Sequence, residues 1–321
     1  MAVVTRDERS AGTATNGRPA GRGPFLRPRA AQDVGRPSIA WAIPATVYFT
    51  IFALLPLGVV VWLSFTSWSG IGAPTSVGLS NWRSLVSDPV MRESILLMLL
   101  LTALGVVTQI PVSLLLGVWA AGRQRTRAVL TALYFIPLLM SSAAVAIVWR
   151  ALLDPNFGLP HQFPAIFGNG DLFGSAPDAI GILTFVGMWQ WTPLYTLIFQ
   201  GGARAIPTSL YEAAAIDGAG TVRQFFTITL PQLRNTIITS MILMVIGGMT
   251  TFESILILTQ GHPGNSTTTT AYYMYEEAFD NFAFGKASAI AVVLVVIATG
   301  IGLAISKWTG YDKMRSTLEG V

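Results

Sequence analysis

The sequence predicts an all-α, polytopic membrane protein built as a bundle of six transmembrane helices. Three observations carry this prediction. Only 11% of the 321 residues are charged, whereas ordinary soluble domains contain about 25%. Hydrophobic residues make up 52% of the chain, and the mean hydropathy is +0.57. Apolar stretches long enough to cross about 30 Å of hydrocarbon at about 1.5 Å per residue recur along the chain.

Residues 1–39 are predicted to form a disordered, basic cytoplasmic tail. The segment contains seven arginines among Gly, Ala, Pro and Thr, without an apolar periodicity that could bury a core. We do not expect a cleavable signal peptide, because the first apolar stretch starts about 40 residues in and is longer than the apolar part of such a peptide.

Residues 40–310 are predicted to form the transmembrane domain, and residues 311–321 a short cytoplasmic tail. The six predicted spans are 41–65, 94–121, 127–152, 178–201, 235–259 and 286–307. Of the 20 lysines and arginines, 16 fall in the two tails and in alternate connections, and 4 fall on the opposite side. Basic residues are retained on the cytoplasmic side, so both termini are expected there. The net charge of +4 thus reflects topology rather than affinity for nucleic acid.

Several kinds of chemistry lack their sequence motifs. The chain has no cysteine, which excludes disulfides, thiol catalysis and cysteine-based metal sites. It has no G-x-x-x-x-G-K-[ST] phosphate loop, so this chain is not expected to hydrolyse ATP itself. The two histidines, His161 and His262, lie in separate predicted loops. We therefore do not expect an enzyme, a metal site or a cofactor.

A loop at 203–234, between the fourth and fifth predicted spans, contains the most specific signals. Ser209-x-x-Glu212 and Thr221-x-x-Gln224 each have the capping-box pattern that opens a helix. The loop is therefore predicted to form two short helices. Glu212 either completes its capping box alone or also contacts a basic residue of a partner.

The turn between these two helices is predicted at Gly218, because glycine readily adopts the left-handed conformation that ends a helix. Val222, Phe225 and Phe226 recur at helical spacing, which places an apolar face on the second helix. An apolar face on a cytosolic loop indicates a docking partner. The alternative is that this face packs on the inner helix ends of the protein itself.

This loop resembles the EAA loop of membrane permease subunits of binding-protein-dependent ABC importers. The matching residues are Glu212-Ala213-Ala214, Asp217-Gly218-Ala219 and Leu230-Pro231. Segments 258–267 and 275–289 are similar to elements of carbohydrate-importer permeases, although His262 replaces the usual second glycine. The resemblance covers roughly residues 41–310.

The resemblance implies the fold of a type I ABC importer permease in a bacterial cell membrane, surrounded by membrane lipid. A second, homologous permease would complete the pathway, and an extracytoplasmic binding protein would deliver a sugar. A cytoplasmic ABC ATPase dimer would dock on the loop. The implied coupling residues are Glu212, Ala213, Ala214, Asp217, Gly218, Ala219, Phe225, Phe226, Leu230 and Pro231. The alternatives are another solute, such as a glycerol phosphodiester or a polyol, and a membrane scaffold that transports nothing.

Polar and aromatic residues in the fourth and fifth spans mark a candidate substrate pathway. On a continuous helix with 100° per residue, Thr250, Glu253 and Ser254 fall on one polar arc of span five. A carboxylate inside a membrane is costly, so Glu253 should face a cavity or partner, or else lie at the interface. Sugars bind aromatic faces and amide groups. Span four supplies Trp189, Gln190 and Tyr195 as the main candidates. Its further candidates are Trp191, Thr192, Thr196 and Gln200.

Overall fold

A computed structural model of the protein describes residues 39–122, 129, 132–167 and 172–309. The two predicted tails therefore lie outside the described residues, except for Ile39. The chain divides into two compact units, Met1–Ala53 and Leu54–Val321. The described part of the first unit is helical throughout: a 3₁₀ turn at Ile39–Ala42, helix α1 at Ile43–Phe49 and the start of a π-helical turn at Thr50–Leu54.

The second unit is also mainly helical, as predicted. Before the 203–234 loop its helices are α2 (Leu55–Leu63), α3 (Ser80–Ser87), α4 (Pro89–Ala120), α5 (Ile136–Leu139), α6 (Ser142–Leu152), α7 (Leu159–Gln162), α8 (Pro164–Phe167) and α9 (Ala176–Arg204). From the loop onward they are α10 (Thr208–Ile216), α11 (Thr221–Gln224), α12 (Leu230–Gln232), α13 (Arg234–Met249), α14 (Glu253–Leu258), α15 (Thr270–Tyr275) and α16 (Phe284–Thr309). Two π-helical turns lie at Phe225–Thr229 and Glu276–Asp280. Strands β1 (Thr66–Ser67) and β2 (Thr75–Ser76) pair in an antiparallel hairpin.

Three helical stretches of the described chain are long and apolar enough to cross a membrane: Ile43–Leu63, Pro89–Ala120 and Phe284–Thr309. A fourth is added if the bent pair Thr221–Gln232 and Arg234–Met249 forms one span. Many apolar side chains of α16 remain exposed, such as Val296 and Leu303, as expected for surfaces that face lipid. The count of six spans stays a prediction.

The third predicted span is not a continuous helix in its described part. Helices α5 and α6 are separated at Met140 and Ser141, where Ser141 has an extended backbone. The hydroxyl of Ser141 accepts a hydrogen bond from the amide of Ala144 at 3.2 Å and thereby caps α6. The span predicted at 127–152 is therefore interrupted in its described part, because a serine within the apolar stretch begins a new helix.

The fifth predicted span is also broken, between Met249 and Glu253. The hydroxyl of Thr250 bonds back to the carbonyl of Gly247 at 3.1 Å, a local bond that competes with helix continuation. The prediction that Thr250, Glu253 and Ser254 share one helical arc was consequently wrong. Thr250 follows the end of α13, whereas the other two residues begin α14.

Close packing of α4 against α9 and α13 holds the centre of the second unit together. Gly117 allows the contact with α9, because a Cβ at this position would lie 2.7 Å from the Cβ of Phe199. Gly248 allows the contact with α13 in the same way, with a Cβ 3.0 Å from the Thr102 hydroxyl. Phe199 is fully buried in an apolar cluster with Leu233 and Met244. This cluster connects the transmembrane helices to the 203–234 loop.

An ionic network ties the start of α4 to α15 and α16. The ammonium of Lys286 lies 3.2 Å from the carboxylate of Asp88 and 2.9 Å from that of Glu277. The Tyr273 hydroxyl donates to Asp88 and accepts from Lys286. Burial by itself would raise the pKa of Asp88, but the hydrogen bonds that its carboxylate accepts from Tyr273 and Lys286, the charge of Lys286 and the amide of Val90 together lower it. The network therefore favours the ionised form of Asp88, which also caps α4 through the amide of Val90.

Candidate coupling loop and transport cavity

The first helix of the loop, α10, begins two residues earlier than a helix capped by Ser209 would. Its N-terminal cap position is Pro207, and no side chain caps the helix. The capping box predicted for Ser209 and Glu212 was therefore wrong, since both residues already lie inside the helix. The side chain of Glu212 is exposed, so it is free for a contact with a partner.

The end of α10 is a tight turn at Gly218, as predicted. Gly218 has φ of +74°. Its amide donates to the carbonyl of Ala215 at 3.0 Å, and the amide of Ala219 donates to the carbonyl of Ala214 at 2.9 Å. This pair of bonds is the Schellman motif, which satisfies the last carbonyls of a helix. A Cβ at Gly218 would meet no atom within 4 Å, so the glycine is required for its backbone conformation alone.

The second helix, α11, starts at Thr221 itself and continues into the π-helical turn. Its cap residue is Gly220, with an extended backbone and no side-chain cap. The second predicted capping box was therefore also wrong, because Thr221 is helical and its hydroxyl does not cap. The side chain of Gln224 instead turns back and donates to the carbonyl of Ala219 at 2.9 Å. This bond fixes α11 against the end of α10.

The apolar face of the second helix is divided between the protein and its surroundings. Phe225 packs against the buried cluster that contains Leu233 and Phe199. In contrast, Phe226 is 60% exposed, and its ring meets that of Phe225 edge-on at 5.2 Å. Val222 is also largely exposed. The two alternatives for this face therefore both apply: Phe225 packs on the protein itself, whereas Phe226 is exposed and available to a partner.

The remaining predicted coupling residues are distributed over the same loop. Glu212, Ala213, Asp217 and Pro231 are exposed, and Ala214, Ala219 and Leu230 are half-buried. Sequence reasoning missed Ile216, an apolar residue at the end of α10 that is 87% exposed. The exposed loop surface therefore combines the acidic groups of α10 with the apolar side chains of Ile216, Val222 and Phe226. We refer to these three apolar side chains as the loop's outer face.

A cavity of about 530 Å³ lies between α4, α9, α13 and the break in span five. Four of the main predicted pathway residues line it: Tyr195, Thr250, Glu253 and Ser254. The predicted helical arc was wrong, but the polar residues on both sides of the break, Thr250 on one and Glu253 and Ser254 on the other, still line the same cavity. The break, and not a shared helical face, brings them together.

The other two main predicted pathway residues do not belong to this lining. Gln190 is almost fully buried, and its amide donates to the hydroxyl of Ser142 at 3.2 Å. Trp189 packs edge-on against Trp149, with 5.5 Å between ring centroids. Both residues support the wall of the cavity and do not form its surface.

Sequence reasoning missed Gln109 of α4 and Thr184 of α9, which both line the cavity. Trp191 of α9, a further candidate of span four, lines it as well. Gln109 stands in a long apolar helix, and an amide in such a helix is itself a signal of an interior position. Trp191 is 41% exposed, so its ring surface is available to a solute.

Glu253 lies where this cavity meets an apolar groove of about 620 Å³. Both Glu253 and Thr250 line the two spaces, and the groove is lined on its far side by Tyr275, Phe279 and Phe284. Within the described parts of the chain, the carboxylate of Glu253 has no hydrogen-bonding or ionic partner. Nor do three or more His, Asp or Glu side chains group there in a way that could hold a metal ion.

Comparison of the sequence with known proteins identifies its family. The family model described as "Binding-protein-dependent transport system inner membrane component" matches residues 113–308. The multiple sugar-binding transport system permease protein MsmF of Streptococcus mutans is 30% identical over 251 residues, which cover 77% of this chain and 86% of MsmF. The sn-glycerol-3-phosphate transport system permease protein UgpA of Yersinia enterocolitica is 30% identical over 262 residues, covering 81% and 89% of the two chains.

A solved structure shows the same fold. A chain of a bacterial alginate ABC transporter, crystallised in complex with an alginate pentasaccharide-bound periplasmic protein, superposes with a TM-score of 0.74 at 19% identity. The match covers 87% of this chain and 95% of that chain. Because the family model matches more than half of the sequence and the relatives align over most of their length, the chain belongs to the inner membrane components of binding-protein-dependent transport systems.

Proposed function

We propose that the chain is the permease subunit of an ATP-driven importer and that, together with a second, homologous permease, it forms the membrane pathway for a sugar. An extracytoplasmic binding protein delivers the sugar, and a separate ATPase dimer hydrolyses ATP. The cavity at the break in span five is the observation that supports this proposal most directly. The names of the relatives, which include a multiple-sugar permease, agree with it.

The lining of the cavity has the chemistry that a sugar requires. Sugars expose apolar C–H faces and many hydroxyl groups, so they bind to aromatic rings combined with amide, hydroxyl and carboxylate groups. Trp191 and Tyr195 supply rings, Gln109 supplies an amide, and Glu253 supplies a carboxylate. The volume of about 530 Å³ falls in the range of small-ligand sites.

The 203–234 loop is the proposed docking element for the ATPase. Its outer face exposes apolar side chains that no described part of the chain covers, and such a face is stabilised by a partner. Phe225, on the inner side, connects this surface to the cluster around Leu233 at the start of α13. Movement of the ATPase subunits would therefore be passed to the helices that line the cavity, as in a two-state switch.

Two phenylalanine variants test the docking role. Phe226→Ser removes an exposed ring, so membrane abundance should stay normal while co-purification of the ATPase and sugar uptake fall. Phe225→Ser removes a packed ring and should lower the abundance of the folded protein. Equal co-purification of the ATPase with wild type and with Phe226→Ser would contradict the docking role.

The cargo is tested by uptake in cells that lack this chain. A panel of radiolabelled mono-, di- and oligosaccharides, together with sn-glycerol 3-phosphate, should show loss of uptake for one or more sugars and recovery when the chain is restored. The glycerol phosphate is included because UgpA is a relative. Recovery for that solute alone would favour the alternative cargo. Unchanged uptake of every solute would favour a scaffold.

The proposed topology places the protein in the bacterial cell membrane with both termini in the cytoplasm. Because the chain has no cysteine, single cysteines report sidedness cleanly. Asn265→Cys, at an exposed site in the loop after α14, should react with an impermeant maleimide in intact cells. Ser10→Cys, in the basic tail, should react only after lysis. The reverse pattern would refute this orientation.

A further inference from the structure

We propose that Glu253 acts as a charge filter, so that the pathway admits carbohydrates without acidic groups and rejects uronates and phosphate esters. This inference rests on the proposed transport function and narrows its substrate class. The observation that motivates it is the charge of the cavity lining. Of the twenty described residues that line the cavity, Glu253 is the only one with a carboxylate, and no Lys, Arg or His accompanies it.

The cations on neighbouring elements are occupied elsewhere. Lys286 is held by Asp88 and Glu277. The guanidinium of Arg150 donates to the backbone carbonyl of Ile257 at 2.8 Å. In the portion of the chain that the structure describes, the Glu253 carboxylate is therefore not neutralised by a basic side chain.

Glu253 lies where its charge can attract or repel a solute that passes through the cavity. Its side chain is exposed and lines both the cavity and the adjoining apolar groove. The low polarity of the groove weakens solvent screening, so a charge there acts more strongly than on an open surface. Sugar hydroxyls donate hydrogen bonds to a carboxylate, whereas a solute carboxylate or phosphate is repelled. The same group thus favours neutral and cationic sugars and disfavours anionic ones.

Charged thiol reagents measure this effect without any transport. Thr250→Cys places a single thiol at an exposed lining position beside Glu253. In the solubilised full complex, its modification rates are measured with an anionic sulfonatoethyl methanethiosulfonate and a cationic trimethylammonioethyl methanethiosulfonate, reagents of similar size. The mass of this chain reports the reaction. A nearby carboxylate changes the reactivity of the thiol equally for both reagents, so their rate ratio isolates the electrostatic effect.

The readout is the modification rate with the cationic reagent divided by the rate with the anionic reagent. We expect this ratio to be at least tenfold higher for Thr250→Cys than for a free thiol in solution. Adding Glu253→Gln should return the ratio to within about twofold of the free thiol, and Glu253→Asp should preserve the preference. Glu93→Gln, which removes an exposed carboxylate of α4 outside the cavity lining, serves as the matched control and should leave the ratio unchanged. No preference, or a preference that survives Glu253→Gln, would overturn the proposal.

Uptake supplies the second readout. For the sugar that the panel identifies, Glu253→Gln should increase the inhibition of uptake by the matching uronate relative to wild type. Unaltered inhibition would overturn the assignment of the filter to Glu253. If no sugar is transported at all, the proposed function fails. The labelling ratio is measured without solute, so it still decides whether Glu253 sets the charge preference of the cavity.

Discussion

Replacing Gly218 tests whether the turn of the 203–234 loop is needed for coupling. At φ of +74° any other L-residue is strained, at a cost of about 1–2 kcal/mol. No steric cost within the chain is added, because a Cβ there meets no atom within 4 Å. Since 1.4 kcal/mol corresponds to a factor of ten, Gly218→Ser should weaken docking of the ATPase by about 5- to 30-fold. Gly218→Val should weaken it further, because a β-branched residue tolerates this conformation least.

The measurement is co-purification of the ATPase and sugar uptake at equal membrane abundance. The matched control is Gly220→Ser, since Gly220 has φ of −69° and open space around its Cα. Serine is also a favoured residue at the cap position that Gly220 occupies. The control should therefore behave like wild type. Wild-type docking and uptake by Gly218→Val would refute the reasoning, because the left-handed turn would then be dispensable.

The remaining predictions concern the contacts made by α16. Gly285→Ala should sharply lower the membrane abundance of the protein, because a Cβ would lie 1.9 Å from a carbonyl of the β1 strand, whereas Gly300→Ala on the same helix should not. Lys286→Met should cost about 2 kcal/mol and lower the melting temperature of the purified complex, because it leaves the largely buried carboxylates of Asp88 and Glu277 without their counter-ion. Lys307→Met, which changes an exposed lysine at the other end of α16, should have little effect. The stability that ionised Asp88 contributes should be present above its usual pKa of 3.8 and be lost as the pH falls through its lower folded value, so melting curves from pH 7 to pH 3 should converge for wild type and Lys286→Met.

The left-handed turn was predictable from the sequence, whereas the caps beside it were not. Gly218 lies between two helical patterns, and few other residues adopt its conformation. The capping-box pattern, in contrast, fixes only a spacing of three residues. It does not determine whether Ser209 or Thr221 takes the extended backbone that a cap needs, and here both are helical. The extended positions are Pro207 and Gly220, which the pattern does not include.

The cavity was only partly predictable, because a helical wheel assumes an unbroken helix. Gly247 and Gly248 precede the break, and such glycine pairs are a known site of kinks. Combined with the two threonines that follow, they were a usable signal. The sequence could mark Gln109 of α4 as an interior residue but could not assign it to the cavity, since Gln109 reaches the cavity only through the packing of α4 against α9 and α13.

If the loop docks on the ATPase as proposed, the angle between the loop and α13 would act as a lever. The helical segment Thr221–Gln232 meets α13 at 66°, and the pivot is Leu233, which is 1% exposed and wedged beside Gly202. The 16 residues of α13 extend about 24 Å from this pivot to the cavity. A rotation of about 10° at the pivot would therefore displace Thr250 by about 4 Å, given that length. This displacement exceeds the length of a hydrogen bond, so a small tilt imposed on the loop is sufficient to make or break the contacts of a bound solute.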